Sequence, residues 1–301
     1  MSTISTPTQN EQNIHTPRKA PRLAFRWDTF FLIVFVLYML IPLGATLTFG
    51  LSGSNGIDFH SYQQIFGDKD FTKTLSISLE LALASTILAI ILITPTVYWV
   101  QLRLPQARPL MDFLSLVPFA VPAILLALGL SEVYGNSNIV IDILSLGLVP
   151  LLGGTVLNIV NTPQLLVCAY VIVSLPFVYR PIDNSLRAIN TRVLTEASYS
   201  LGGGWWRTFL TIVLPNILPG VVSAALLTFS TAMGEFTLSS LFGIYAFPIY
   251  LDQVGQNDAH KAASLAILSF IFTLVCVLAI LLFVGRRVGG KRANVEIAAT
   301  K

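Results

Sequence analysis

Charge is the scarce ingredient of this chain. Only 11% of its 301 residues are charged, against 54% hydrophobic residues and a mean hydropathy of +0.74. So much apolar surface cannot be hidden in a water-exposed fold of this size, and a soluble globular protein is excluded. Cysteine is nearly absent: Cys168 and Cys276 both fall in apolar runs, so neither a disulfide framework nor a thiolate metal site is indicated. His15, His60 and His260 lie in polar segments and suggest nothing catalytic. No stretch reads G-x-x-x-x-G-K-S/T, so the chain has no loop to cradle nucleotide phosphates. The net charge of +3 comes with no basic-aromatic patch, which argues against a nucleic-acid partner.

What remains is length and greasiness in the right units. A helix needs about 20 apolar residues to cross the hydrocarbon of a bilayer. Six runs qualify: Phe30 to Phe49, Leu75 to Val100, Phe113 to Tyr134, Thr162 to Tyr179, Pro219 to Phe242 and Ala262 to Val284. They are continuously apolar rather than alternating, which favours helices over a barrel. The fold class is therefore an all-α integral membrane protein with six transmembrane helices.

Ile139 to Val160 resembles a seventh span but carries Asp142, Pro150 and the Gly153-Gly154 pair. The distribution of Lys and Arg arbitrates, because these residues favour the cytoplasmic side. With six spans and the N-terminus inside, all of the 18 basic residues except Lys69, Lys73 and Lys261 fall on that side. A seventh span would move Arg180, Arg187, Arg192 and Arg207 and the basic tail outside. Ile139 to Val160 is accordingly read as an external loop, either re-entrant or lying on the surface. Residues 1–28 read as a disordered, basic cytoplasmic lead-in to a signal-anchor helix, 29–286 as the membrane domain, and 287–301 as a cytoplasmic tail.

The most telling segment is polar, and it lies between the fourth and fifth spans. In 180–218, Ala197, Leu201, Trp205 and Phe209 recur every four residues, a stripe that needs an apolar surface to bury against. Asn190, Thr191 or Thr195 is expected to cap a first helix with Glu196 in its first turn. Gly202, Gly203 and Gly204 end that helix, and Pro215 and Pro219 permit a second break. The product is a helix, a tight turn and a second helix. An amphipathic connector lying in the lipid interface is the plainer alternative.

Glu196, Ala197, Ser198, Gly202, Ile212, Leu214 and Pro215 fit E-A-A, three residues, G, nine residues, I-x-L-P, with Ser198 as the one departure. This skeleton resembles the EAA loop of binding-protein-dependent ABC importer permeases. Ser174 to Val178, Gly234-Glu235-Phe236 and Phe247 to Tyr250 extend the similarity to the polyamine, ferric-iron, thiamine and phosphonate branch. The resemblance implies a type I importer permease in which the loop is a coupling helix docked on a separate ATPase. In that case Glu196 pairs with a basic group of the ATPase, Ala197 and Ser198 are small enough for close docking, and Gly202 permits the turn. It also implies two ATP-binding subunits, a second permease subunit, the same or different, and an extracytoplasmic solute-binding protein. ATP would be bound by the partner, so this chain would need no cofactor of its own and perform no covalent chemistry.

Ionisable groups inside a bilayer are costly and are pathway candidates by default. Glu235, beside Gly234 in the fifth span, leads; Glu80 and Glu132 follow, and a helix–helix hydrogen bond is the alternative for each. Pro118 and Pro122 suggest a hinge in the third span, while Tyr134, Tyr179 and Tyr250 are expected as interfacial anchors. A secondary transporter would call for inverted repeats and paired broken helices, and a membrane hydrolase for a nucleophile and base; neither pattern is found. Polyamine (spermidine or putrescine) ranks first as cargo, ahead of aminoethylphosphonate, ferric iron and thiamine.

Overall fold

The computed structural model describes residues 27–53, 56–57, 60–135 and 161–299. Most of the lead-in and the whole of Ile139 to Val160 lie outside the described residues. Helix α1 spans Trp27–Leu51, and its stretch up to Gly44 forms a compact unit of its own. The second unit begins at Ala45. A two-residue antiparallel pairing of Ser52–Gly53 with Gly56–Ile57 leads to α2, His60–Gly67. Then come α3, Lys69–Arg103, a short 3-10 turn at Pro105–Ala107, α4, Arg108–Ala120, and α5, Ala123–Gly135. After 161 follow α6, Pro163–Ala188, α7, Thr191–Ser200, and α8, Trp205–Asn216, whose middle, Phe209–Val213, is π-helical. The chain ends with α9, Leu218–Met233, α10, Thr237–Leu241, α11, Phe247–Asn257, and α12, Ala259–Ala299.

Four helices are single spans by length and hydropathy, and two bent pairs, α4 with α5 and α8 with α9, raise the number to six if each pair counts as one span. One bent pair falls where a hinge is expected in the third span. Helices α4 and α5 meet at 101°, because Pro122 pushes Val121 into extended backbone (φ −97°, ψ 118°) and ends α4 at Ala120. The expected break therefore falls at Val121, while Pro118 is absorbed within α4. The other pair, α8 and α9, is bent by 76° at Ile217, between Pro215 and Pro219. Pro95 and Pro176 sit inside continuous helices.

Helices α3, α6 and α9 form the centre of the second unit. Small residues let them approach: Ala82, Ser85 and Ala89 on α3, Ala169 on α6 and Ala224 on α9 are all fully buried. In an apolar solvent, dispersion and close backbone approach replace the hydrophobic drive between helices. The tightest approach is at Gly220, where a Cβ would stand 2.0 Å from Ser185 Oγ and 2.7 Å from the Pro181 carbonyl. One apolar cluster includes Leu81, Leu166, Phe229 and Leu238; a second, around Tyr98, Ile182, Val213 and Ile217, lies toward the α7–α8 end. A third, Ile65, Phe71, Phe247, Tyr250 and Leu265, ties α2, α3, α11 and α12 together at the opposite end.

Candidate functional site: the elbow and the bundle notch

The segment between the fourth and fifth spans folds as the expected helix, turn and helix, an elbow made of α7 and α8. Its N-cap position is Asn190 in left-handed conformation (φ 48°), with no side-chain cap. The Thr191 hydroxyl instead donates to the Leu186 carbonyl, and Thr195 Oγ1 to the Thr191 carbonyl at 2.7 Å. Glu196 is the sixth residue of α7, past the first turn where it was expected. It is exposed and pairs with Arg192, Nε to Oε1 at 2.9 Å. An exposed i,i+4 pair of this kind contributes only about 0.3–0.5 kcal/mol, so Glu196 stays available to an outside cation.

The turn is held by Ser198. Its hydroxyl shares a hydrogen bond with Thr208 Oγ1 at 2.7 Å, and its carbonyl accepts from Gly203 N at 2.9 Å. Ser198 is thus buried (8% exposed) and braces the elbow from within, whereas a docking residue would face outward. Ala197 is exposed. Gly202 adopts φ +80° with no atom near its virtual Cβ, so glycine is required there by backbone conformation rather than by crowding. Gly203, by contrast, is crowded, its virtual Cβ falling 2.9 Å from the Ser198 carbonyl.

The four-residue stripe holds only in its second half. Phe209 is buried and Trp205 half-buried, but Leu201 is 90% exposed and Ala197 also faces out. The tight turn between 200 and 205 breaks the helical period, so the register does not carry across it. Val213 and Ile217 continue the buried face, while Ile212 and Leu214 are half-buried and Pro215 is exposed. The elbow therefore presents apolar side chains outward: Leu201, Trp206 at 64%, Val193 and Leu210.

Beside the elbow lies a polar cluster that the apolar runs concealed. Asp183, its side chain 7% exposed, receives Arg108 at 3.3 Å and also Arg187. Tyr179 donates to Asp112 Oδ1 at 2.9 Å. Asp112 precedes one predicted span and Asp183 follows another, so both read as loop residues although the helices run through them. The i,i+4 spacing of Asp183 and Arg187 was the one available signal. Tyr179 and Tyr250 are both buried and hydrogen-bonded to aspartates, rather than interfacial anchors.

The pathway candidates do not converge. Glu235 is not deep in a span: α9 ends at Met233, and Gly234 and Glu235 form the break before α10. Its Oε1 accepts from the Leu238 backbone N–H at 2.7 Å, capping α10, and its carbonyl accepts from Ser239 Oγ at 2.9 Å and Tyr170 Oη at 3.4 Å. Gly234 has φ −96°, a geometry any residue adopts. Glu235 nevertheless borders a notch of about 10 Å³, with Tyr170, Ser174, Thr228 and Thr231. That is room for about one water, and the fully buried Thr228 hydroxyl has no hydrogen-bond partner among the described residues. Glu80 and Glu132 are exposed on α3 and α5, apart from this notch. At the end of the bundle opposite the elbow, a pocket of about 400 Å³ is lined by Tyr245, Gln253, Asn257, Asp258 and Lys261 among others. Its floor is braced by Asp68, which accepts from Tyr250 Oη at 2.7 Å and from Lys261 Nζ at 3.1 Å. Among the described residues, no group of three His, Cys, Asp or Glu side chains is placed to hold a metal ion.

Comparison with known proteins places this geometry. The chain is 32% identical over 178 residues to the spermidine/putrescine transport system permease protein PotB of Salmonella typhimurium, covering 58% of this chain and 60% of that one. It is 31% identical over 172 residues to the molybdenum transport system permease protein ModB of Azotobacter vinelandii, covering 56% of this chain and 71% of that one. The match thus spans about 60% of the length of the Salmonella typhimurium and Escherichia coli PotB proteins. A bacterial ABC transporter that imports the acidic polysaccharide alginate has the same fold, with a TM-score of 0.63 at 14% identity over 86% of this chain and 94% of that one. The same transporter in complex with its alginate pentasaccharide-bound periplasmic protein gives 0.59 at 16% identity over 85% and 89%. Residues 103–289, which include the elbow and the polar cluster, match the family described as binding-protein-dependent transport system inner membrane component, and the chain belongs to that family.

Proposed function

We propose that this chain is the transmembrane permease subunit of an ATP-driven importer, coupled through its elbow to a separate ATPase. The observation that carries this reading is the outward apolar face of the elbow. Leu201, Trp206, Val193 and Leu210 are presented on a turn braced from inside by Ser198 and Thr208. Leaving such a face in water is unfavourable by about 25 cal/mol per Å², which a partner groove recovers. Glu196 at its edge offers a carboxylate to a basic group there.

The elbow lies on the cytoplasmic side of the inner membrane, with both termini, as the bias of Lys and Arg supports. The opposite pocket around Tyr245 and Lys261 then faces the compartment from which a solute-binding protein delivers cargo, in the manner that the alginate transporter complex illustrates. Two ATP-binding subunits clamp two permease elbows, this one and that of a second copy or a different permease. The membrane domain runs over 29–286 with the coupling loop at 180–218. Closure of the ATPases moves the elbow and switches access to a path on which Glu235 and the notch lie. The chain itself performs no covalent step, and ATP is bound by the partner.

Polyamine is the favoured cargo, supported by the names of the PotB relatives and by the acidic Glu235 beside hydroxyl-bearing Tyr170, Ser174 and Thr228. An oxyanion is the competing cargo, favoured by the similarity to ModB. The test is purification of the tagged permease from its native cells, followed by uptake of labelled spermidine and of labelled molybdate into proteoliposomes. Co-purification of an ATPase with ATP-dependent spermidine uptake is expected. Absence of any ATP-hydrolysing partner defeats the importer reading, and uptake of molybdate alone defeats the cargo assignment.

A further inference from the structure

Both arms of the elbow meet the second span at one side chain. Tyr98, near the elbow end of α3, is fully buried. Its hydroxyl shares a hydrogen bond with Thr195 Oγ1 of α7 at 3.1 Å. Its ring lies 5.3 Å from that of Phe209 at 27° and 5.5 Å from that of Trp205 at 38°, both on α8. Trp205 and Phe209 in turn stack on each other at 5.5 Å and 14°. Tyr98 thus holds one arm by a directional polar bond and the other by ring contacts within the range where aromatic pairs attract.

The local helix geometry is adjusted around this meeting point. The π-helical segment starts at Phe209, and Phe209 and Val213, its first and last residues, are both buried. Such π turns inside α-helices are frequent at functional sites. On the outer side, Trp206 stands edge-on to Trp205 at 4.5 Å and 87° while remaining largely exposed. A chain of rings therefore runs from the exposed face of the elbow, through Trp206 and Trp205, to Tyr98.

We propose that Tyr98 is the positioning residue that makes the elbow and α3 one mechanical unit, so that displacement of the elbow is passed directly to the second span. This rests on the importer reading for its physiological meaning but not for its physical test. In a Cys168→Ser, Cys276→Ser background, spin labels at Leu92→Cys on α3 and Ser200→Cys on α7 report the separation of the two elements. It is measured on the purified permease alone and, with any co-purifying ATPase, before and after ATP.

A single narrow distance distribution, unshifted by ATP, is expected for the native hub. Tyr98→Leu, which removes both the ring and the hydroxyl, should broaden it at least twofold, and Tyr98→Phe, which keeps the ring contacts to α8 but loses the bond to Thr195 of α7, should broaden it by a smaller amount. A native distribution that shifts or splits with ATP overturns the proposal, as does a leucine variant as narrow as the native chain. Should that variant fail to accumulate, Trp205→Leu carries the same measurement: twofold broadening supports the hub and an unchanged width overturns it. Failure of an ATPase to co-purify defeats the importer reading instead, and the hub is then judged on the distribution of the permease alone.

Discussion

Ser198 and Thr208 share a hydroxyl–hydroxyl hydrogen bond of 2.7 Å across the tight turn of the elbow. It is made at the one position where the chain departs from the E-A-A pattern. Restoring the pattern with Ser198→Ala removes this bond and leaves a fully buried Thr208 hydroxyl without that partner. The expected cost is about 1 kcal/mol of local stability, read as faster amide exchange in 198–208, with uptake retained. Thr208→Val in addition should recover part of the loss, since removing both partners of a buried bond is milder than removing one.

Gly202 separates conformation from charge. Its φ of +80° strains any residue with a Cβ, by roughly 1–2 kcal/mol, although no neighbour stands in the way. Asparagine visits this region more readily than other side chains, so Gly202→Asn should keep more uptake than Gly202→Val. Gly202→Asp should fit the turn comparably but place a carboxylate beside exposed Leu201, and it should abolish uptake while the protein remains in the membrane. Immunoblotting of membranes alongside an uptake assay checks the three variants together.

The Gly220 crossing forbids even a methyl group. Gly220→Ala places its Cβ against Ser185 Oγ and the Pro181 carbonyl, so α6 and α9 must separate. Overpacking of this kind costs about 1–3 kcal/mol, seen as a lower unfolding temperature in detergent. Adding Ser185→Gly should recover only part of it, because the carbonyl at 2.7 Å is backbone and stays.

Asp183 is the buried charge of the elbow end. Removing it leaves Arg108 and Arg187 facing a site without their carboxylate. Because Arg108 and Arg187 are themselves partly exposed, the cost should fall below the roughly 3–5 kcal/mol of a fully buried pair, and Asp183→Ala should lower membrane abundance measurably. Arg187→Ala, which removes the more exposed of the two cations and leaves Arg108 in place, should cost less. Quantitative immunoblotting of both variants tests the order.

At the other end, hydrogen bonding from Tyr250, reinforced by Lys261 and the Asp70 backbone, holds the Asp68 carboxyl below the usual aspartate range despite partial burial. A depressed folded-state value means that the contribution is complete above the unfolded aspartate value of about 4 and is lost as pH falls through the folded one. The native chain should therefore unfold at higher temperature than Asp68→Asn at pH 7, with the gap beginning to narrow as pH falls below about 4. A gap that stays constant from pH 7 down to the acid limit of folding would refute this.

How much of this was legible beforehand depends on which force shapes each part. The spans were readable because apolar length is what a bilayer demands, and the elbow because Gly202 and the prolines mark turns by their own backbone limits. The helix ends were not, since helices run on beyond the apolar runs where Asp183 pairs with Arg187 and Arg108 and Asp112 accepts from Tyr179. The break at Gly234 and Glu235 was hidden inside an apolar stretch, and only the capping bond to Leu238 reveals it. The stripe through Leu201 misled because a period has meaning only within one unbroken helix. Tyr98 carried no signal at all: its partners lie about a hundred residues away, and only folding brings them together.

Helix α3 is unbroken for 35 residues, from Lys69, next to its cap Asp68, which is bonded to Tyr250 and Lys261, to Arg103 just past Tyr98. At 1.5 Å per residue it is about 52 Å long, well beyond the roughly 30 Å of hydrocarbon it must cross. Fastened near both extremities, such a beam has little freedom to slide, so a shove at one extremity must emerge at the other chiefly as a change of lean. The two faces of the membrane are in this way kept informed of each other by a single stick of backbone.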